Sequence, residues 1–135
     1  MESRYQLVAE AHQWAIDKLV VGERFGALLV SNHSSGKKMT RYDLASQEDA
    51  LAACERELAS ALSDANEYAL VYDALLKSKE GTAPALVFRM ERRGGAGAAQ
   101  FAQRYQLKKK LLVGSVSYVP LEDFQPLGAG PAWLV

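Results

Sequence analysis

Between Tyr68 and Val119 four strand-length segments follow one another, separated only by short polar or glycine-bearing turns. Residues 68–76 run Tyr-Ala-Leu-Val-Tyr-Asp-Ala-Leu-Leu, and a polar turn around Gly81 leads into residues 84–92. There Leu86, Phe88 and Met90 share one face while Val87, Arg89 and Glu91 share the other, the two-residue period of a strand. The loop Arg93-Gly94-Gly95-Ala96-Gly97 precedes residues 99–107, and Leu111–Val119 reads as a final strand stopped by Pro120. Turns this short cannot carry a parallel crossover, so the second half is expected to form an antiparallel sheet. Residues 99–107 fit either period: Ala98, Phe101, Ala102 and Tyr105 share a side as a helix, whereas Phe101, Gln103, Tyr105 and Leu107 do as a strand. A glycine loop between two alternating segments favours the strand and a hairpin.

The first half supplies the helices. Residues 3–20 place Tyr5, Val8, Ala9, Ala15, Ile16, Leu19 and Val20 on a helical stripe that Gly22 ends. Leu7, Ala11 and Trp14 lie off that stripe, so this helix has a second apolar side. Residues 25–31 read as a buried strand, residues 32–38 as a polar turn and residues 39–44 as its returning partner. Ser46 opens a second helix as an N-cap, with Asp49 three residues on and a buried stripe of Leu51, Cys54, Leu58, Ala61, Leu62 and Ala65. The expected fold is a single α+β domain over residues 1–135, ordered α-β-β-α-β-β-β-β. Its antiparallel sheet has five to six strands, with two helices covering one face as a second layer. Residues 120–135 hold three of the four prolines and are expected to be an extended tail. This element order is similar to that of roadblock and profilin-like domains, often dimeric interaction modules, and the likeness concerns fold only.

Net charge is zero, from 16 basic and 16 acidic residues, but unevenly spread. Residues 1–74 carry seven basic and twelve acidic side chains, residues 75–110 nine and two, and residues 111–135 only Glu122 and Asp123. A neutral chain with an acidic first half is a poor nucleic-acid binder, although Phe101, Tyr105 and the basic third quarter leave an accessory role as a remote alternative. Cys54 stands alone and is expected to be a packed core residue in a reducing compartment. No signal peptide and no run of about 20 apolar residues is evident, so a cytoplasmic protein without a membrane span is expected.

Chemistry-bearing patterns are sparse. Gly95-Ala96-Gly97-Ala98-Ala99-Gln100 ends in glutamine where a dinucleotide fingerprint needs glycine, so no cofactor is implied. His12 reads as a packed histidine and His33 as an exposed one, with no His/Cys/Asp cluster at metal-ligand spacing. No nucleophile motif is present, and no catalytic residue is nominated. If residues 84–92 and 99–107 pair, Arg92, Arg93, Gln103 and Arg104 are expected to gather with Lys108–Lys110 nearby, as a site for a carboxylate or phosphate. Tyr72, Asp73 and Tyr105 are the candidate neighbours of that site. Asp73, in the middle of an apolar strand, is expected either to lie exposed on the open sheet face or to pair with Arg89 or Arg104; structural pairing is favoured over a general base.

The segment from Tyr68 to Tyr105, with Tyr72-Asp73 before a hairpin and Phe101-Ala102-Gln103-Arg104-Tyr105 after it, resembles small bacterial proteins of unknown function, a resemblance that implies no activity. Leu7 and Trp14 on the first helix, and Trp133, Leu134 and Val135 in the tail, are apolar groups that a chain of this size is expected to cover with a partner. The leading expectation is therefore a non-enzymatic interaction module acting as a homodimer. A small anionic ligand on the Arg92–Arg104 hairpin is the alternative.

Overall fold

The computed structural model describes residues 3–43, 46–59, 64–78, 81–95, 97–109, 115–130 and 133–134. Ala61, Leu62, Ala96, Lys110, Leu111–Gly114 and Val135 therefore lie outside the described residues, as does the side chain of Tyr5. The order is α1 (Ser3–Val20), β1 (Ala27–His33), β2 (Gly36–Tyr42), α2 (Gln47–Ala59), β3 (Ala65–Ser78), β4 (Gly81–Arg92), β5 (Ala98–Lys109), β6 (Val116–Pro120) and β7 (Gln125–Gly130). All pairings are antiparallel, with strands ordered β2-β1-β3-β4-β5-β6 and β7 also against β5. The α+β class and the strand assignment of residues 99–107 hold. Among the described residues no helix is long and apolar enough to cross a membrane.

Two features depart from expectation. The helices do not share a face. Leu7, Val8, Ala11 and Ala15 of α1 pack on Leu28, Val30, Val71, Leu86 and Phe88, whereas Ala50, Cys54 and Leu58 of α2 pack on Ala27, Leu29, Tyr68 and Leu70. Alternate residues of β1 point to opposite helices, so its run Ala-Leu-Leu-Val is buried on both sides. The edge strand confirms the geometry with its lysines: Lys37 reaches Glu10 on α1 and the next residue, Lys38, reaches Glu57 on α2. Charged side chains there also discourage another strand from adding to the edge.

The tail is the second departure, because it returns to the sheet. β6 covers Tyr105–Lys109 and β7 covers Ala98–Ala102, so both share one edge of β5. Pro126 is tolerated because that edge strand needs no amide there, at the register shift between Gln100 and Phe101. Between β6 and β7, residues 121–124 bulge outward opposite Gln103 and Arg104. At the other end of the chain α1 stops as its sequence demands. Gly22 takes φ 78°, its N–H donates to Leu19 O, and the N–H of Glu23 donates to Lys18 O, a Schellman termination.

Candidate functional site

The hairpin that was to gather the arginines exists, but its register scatters them. Ala85 faces Arg104 and Met90 faces Ala99; continued, that register puts Arg92 opposite Gly97. Arg92 and Arg104 thus stand seven positions apart along the sheet, roughly 23 Å at the strand rise. They also point to opposite faces. Each guanidinium is engaged elsewhere. Arg92 approaches the Glu67 carboxylate, Arg93 donates to Ala65 O, and Arg104 grips Glu122 through Nε at 2.6 Å and Nη2 at 3.1 Å. The carboxylate that Arg104 was expected to capture is the chain's own. With Gln103 Nε2 donating to Glu122 O and Leu121 N–H to Arg104 O, it pins the 121–124 bulge.

Asp73 finds neither expected arginine. Its Oδ1 accepts the Tyr105 hydroxyl at 2.8 Å, two strands away. Arg89 instead donates Nε to the Tyr68 hydroxyl. Burial holds the Asp73 carboxyl above its usual range, with the Tyr105 and Ala74 hydrogen bonds pulling the other way. Tyr105 and Tyr118 stack at 4.9 Å, burial raises both phenols, and Tyr118 donates to Gln103 Oε1 at 2.7 Å. His12 completes this group beneath α1, edge-on to Phe88, Tyr118 and Phe124. Burial depresses its pKa, and the neighbouring Gln103 amide opposes the shift more weakly. Of the expected site residues, Asp73, Gln103 and Tyr105 therefore share one neighbourhood on the α1 face. Tyr72 points to the α2 face, near Leu51 and Trp133.

A third polar cluster had no signature in the sequence. Ser31 Oγ lies 2.7 Å from His33 Nε2, and His33 Nδ1 lies 2.5 Å from Asp64 Oδ1. Serine, imidazole and carboxylate in this order form the chain that activates a serine nucleophile. Its polarity is inverted here. Ser31 is 3% exposed, whereas the Asp64 side chain is 54% exposed. A substrate must reach the hydroxyl, and here the hydroxyl is at the closed end. The cluster satisfies a buried serine and ties β1 to the start of β3, and the hydrogen bonds from His33 and Ser34 hold the Asp64 pKa down. No signal short of the β1–β3 register, with its shift between Asn32 and His33, announces it.

The expected interface groups divide. Leu7 is 1% exposed and Leu134 5% exposed, both covered by the chain itself. Trp14 is half-buried against Phe25, with Lys18 and Arg41 near its ring. Trp133 is half-buried under Arg89, whose guanidinium carbon sits 3.8 Å from the ring centroid, and stacks on Tyr68. Glu91, 2% exposed, accepts the Tyr68 hydroxyl and the backbone N–H groups of Trp133 and Leu134. A buried carboxylate is tolerable only with such donors. Cys54 is fully buried in the α2 core, its thiol pushed up to about 12 by burial.

Beyond α2, on the same face of the sheet, lies a groove of about 420 Å³. Leu76, Ala102 and Leu127 line it, and Lys77, Arg104 and Glu122 form its polar side. Among the described residues no group of three or more His, Cys, Asp and Glu side chains is placed to hold a metal ion. Comparison with protein-family models, with curated proteins and with solved structures found no match, so the functional reading rests on this geometry.

Proposed function

We propose that this chain is a non-enzymatic protein-interaction module that acts as a homodimer, joined through the half of the sheet that α2 leaves bare. The observation that carries the reading is the groove beside α2, with Leu127 48% exposed on its wall. The half-buried Leu76 extends the apolar surface over the buried Ala102, and a second chain would remove that surface from water. Charge favours a second copy as the occupant. α2 carries Glu48, Asp49 and Glu55 beside Arg56, with Glu57 held by Lys38, while Lys77 lines the groove, the exposed Lys108 stands further along β5 and Arg104 is held by Glu122. A two-fold arrangement lays the acidic helix of each copy along the basic side of the other's groove, the self-complementarity that an isologous contact needs. An anion bound at Arg104 would first have to displace Glu122, so the hairpin-ligand reading is the weaker one.

Light scattering over a concentration series tests the proposal. The native chain is expected to reach twice the monomer mass by high micromolar concentration, and Leu127→Arg is expected to remain monomeric while melting at the native temperature. A native chain that stays monomeric throughout overturns it, as does a Leu127→Arg chain that dimerises undiminished.

A further inference from the structure

Asp73 is a half-buried carboxylate with no cationic partner among the described residues. Its described hydrogen bonds come from neutral donors, the Tyr105 hydroxyl and the Ala74 backbone. A charge taken partly out of water without a counter-ion is unfavourable, and such groups concentrate where a ligand supplies the missing partner. Asp73 also borders empty space. It lines a pocket of about 300 Å³ at the C-terminal end of α1, together with Leu19, Glu23, Arg24 and Phe25. That volume is at the lower end of the range for small-molecule sites.

The walls define what fits. Leu19 and Phe25 are apolar. Glu23 is already paired with Lys18 and Arg41, which hold its pKa down, so it offers little further attraction for a cation. Arg24, an exposed residue, also lines the pocket. The pocket therefore brings together one uncompensated acid, one arginine and two apolar side chains.

We propose that this pocket binds a small zwitterion of amino-acid type, its ammonium group on Asp73, its carboxylate on Arg24 and an aliphatic side chain against Leu19 and Phe25. The Tyr105 hydroxyl fixes one carboxylate oxygen of Asp73 and so orients the other toward the ligand. Arg24 suits the other end because a guanidinium offers a fork of donors that matches a carboxylate. Each charged end alone meets only half of this recognition, so binding requires both on one molecule. The site lies on the α1 face of the sheet, opposite the proposed dimer groove, and does not depend on it.

Calorimetric titration with leucine, isoamylamine and 4-methylpentanoate tests the assignment, because the second lacks the carboxylate of the first and the third lacks its amine. Leucine is expected to bind saturably and to raise the melting temperature, with each half-molecule at least tenfold weaker. Asp73→Asn keeps the shape and the Tyr105 hydrogen bond, so it is expected to fold and to lose leucine binding. Arg24→Gln is expected to weaken leucine at least tenfold and to leave isoamylamine unchanged. Absence of leucine binding at millimolar concentration overturns the proposal, and so does an Asp73→Asn chain that binds leucine as the native chain does. Binding of isoamylamine as tight as leucine overturns the role of Arg24.

Discussion

A carboxylate set among apolar side chains needs a donor, and Asp73 obtains one from a phenol two strands away rather than from Arg89 or Arg104. That choice has consequences for stability. Removing the hydroxyl with Tyr105→Phe leaves a half-buried acceptor short of a donor, which is expected to destabilise the fold by about 1–3 kcal/mol. Urea midpoints of the two chains measure it, and equal midpoints would deny the bond its role. The acid range gives a second signature. Because burial raises the folded pKa of Asp73 above its ordinary 3.8, the folded state binds more protons than the unfolded one between those values. Stability from this group therefore falls as pH rises through that window, and Asp73→Asn is expected to remove that fall, leaving a net slope more positive than the native chain's. Asp64 works in the opposite sense: its folded pKa is depressed, so its contribution is lost as pH falls through the depressed value. The anomaly at Asp73 is legible in the sequence, since an acid interrupts an apolar run. Its partner is not, because Tyr105 is reached only through the paired registers of three strands.

At the scale of elements, boundaries set by local chemistry were readable and faces were not. Ser46 caps α2 as its spacing to Asp49 implies, accepting the Asp49 N–H on Oγ at 3.1 Å while its carbonyl accepts from Ala50. Ser46→Ala removes the side-chain bond and is expected to cost about 1 kcal/mol, read as a shift in the denaturation midpoint with an unchanged slope. An unshifted midpoint would show that the cap contributes nothing. The same legibility gave the glycine end of α1 and the hairpin at Gly94–Gly97. The placement of the helices required a different signal. The continuous apolar run of β1 marks a strand buried on both faces, and such a strand needs a helix on each side. Proline misled in the tail, where β7 tolerates Pro126 because it sits at an edge. The arginine cluster failed for a simpler reason: residues far from the turn of a hairpin pair with residues equally far on the other side. Arg104 meets Ala85, and Arg92 is left near the turn.

His12 is one of the points at which the layers of the molecule are joined. Its ring joins α1 to Phe88 in the middle of the sheet, to Tyr118 on β6 and to Phe124 in the bulge, so three parts of the fold meet on one titratable group. Its Nε2 is buried with no hydrogen-bond partner among the described residues, an arrangement suited to a neutral imidazole. The groups around it set the balance. Gln103 favours the proton, burial opposes it more strongly, and Tyr105 and Tyr118 stay neutral because burial raises both phenols. The unfolded chain takes up a proton near the ordinary imidazole value of 6.5, while the folded chain resists until a lower pH. Between those points the unfolded state binds more protons, so stability rises with pH through the window and is lost as pH falls through it. Urea midpoints taken above and below 6.5 are expected to show that loss in the native chain. His12→Gln, which cannot titrate, is expected to remove most of it, and Asp73→Asn is expected to leave it standing. A native chain with equal midpoints on both sides would mean that the imidazole is protonated as readily within the fold as outside it. The aromatic contacts of α1, sheet and bulge would then hold irrespective of its charge.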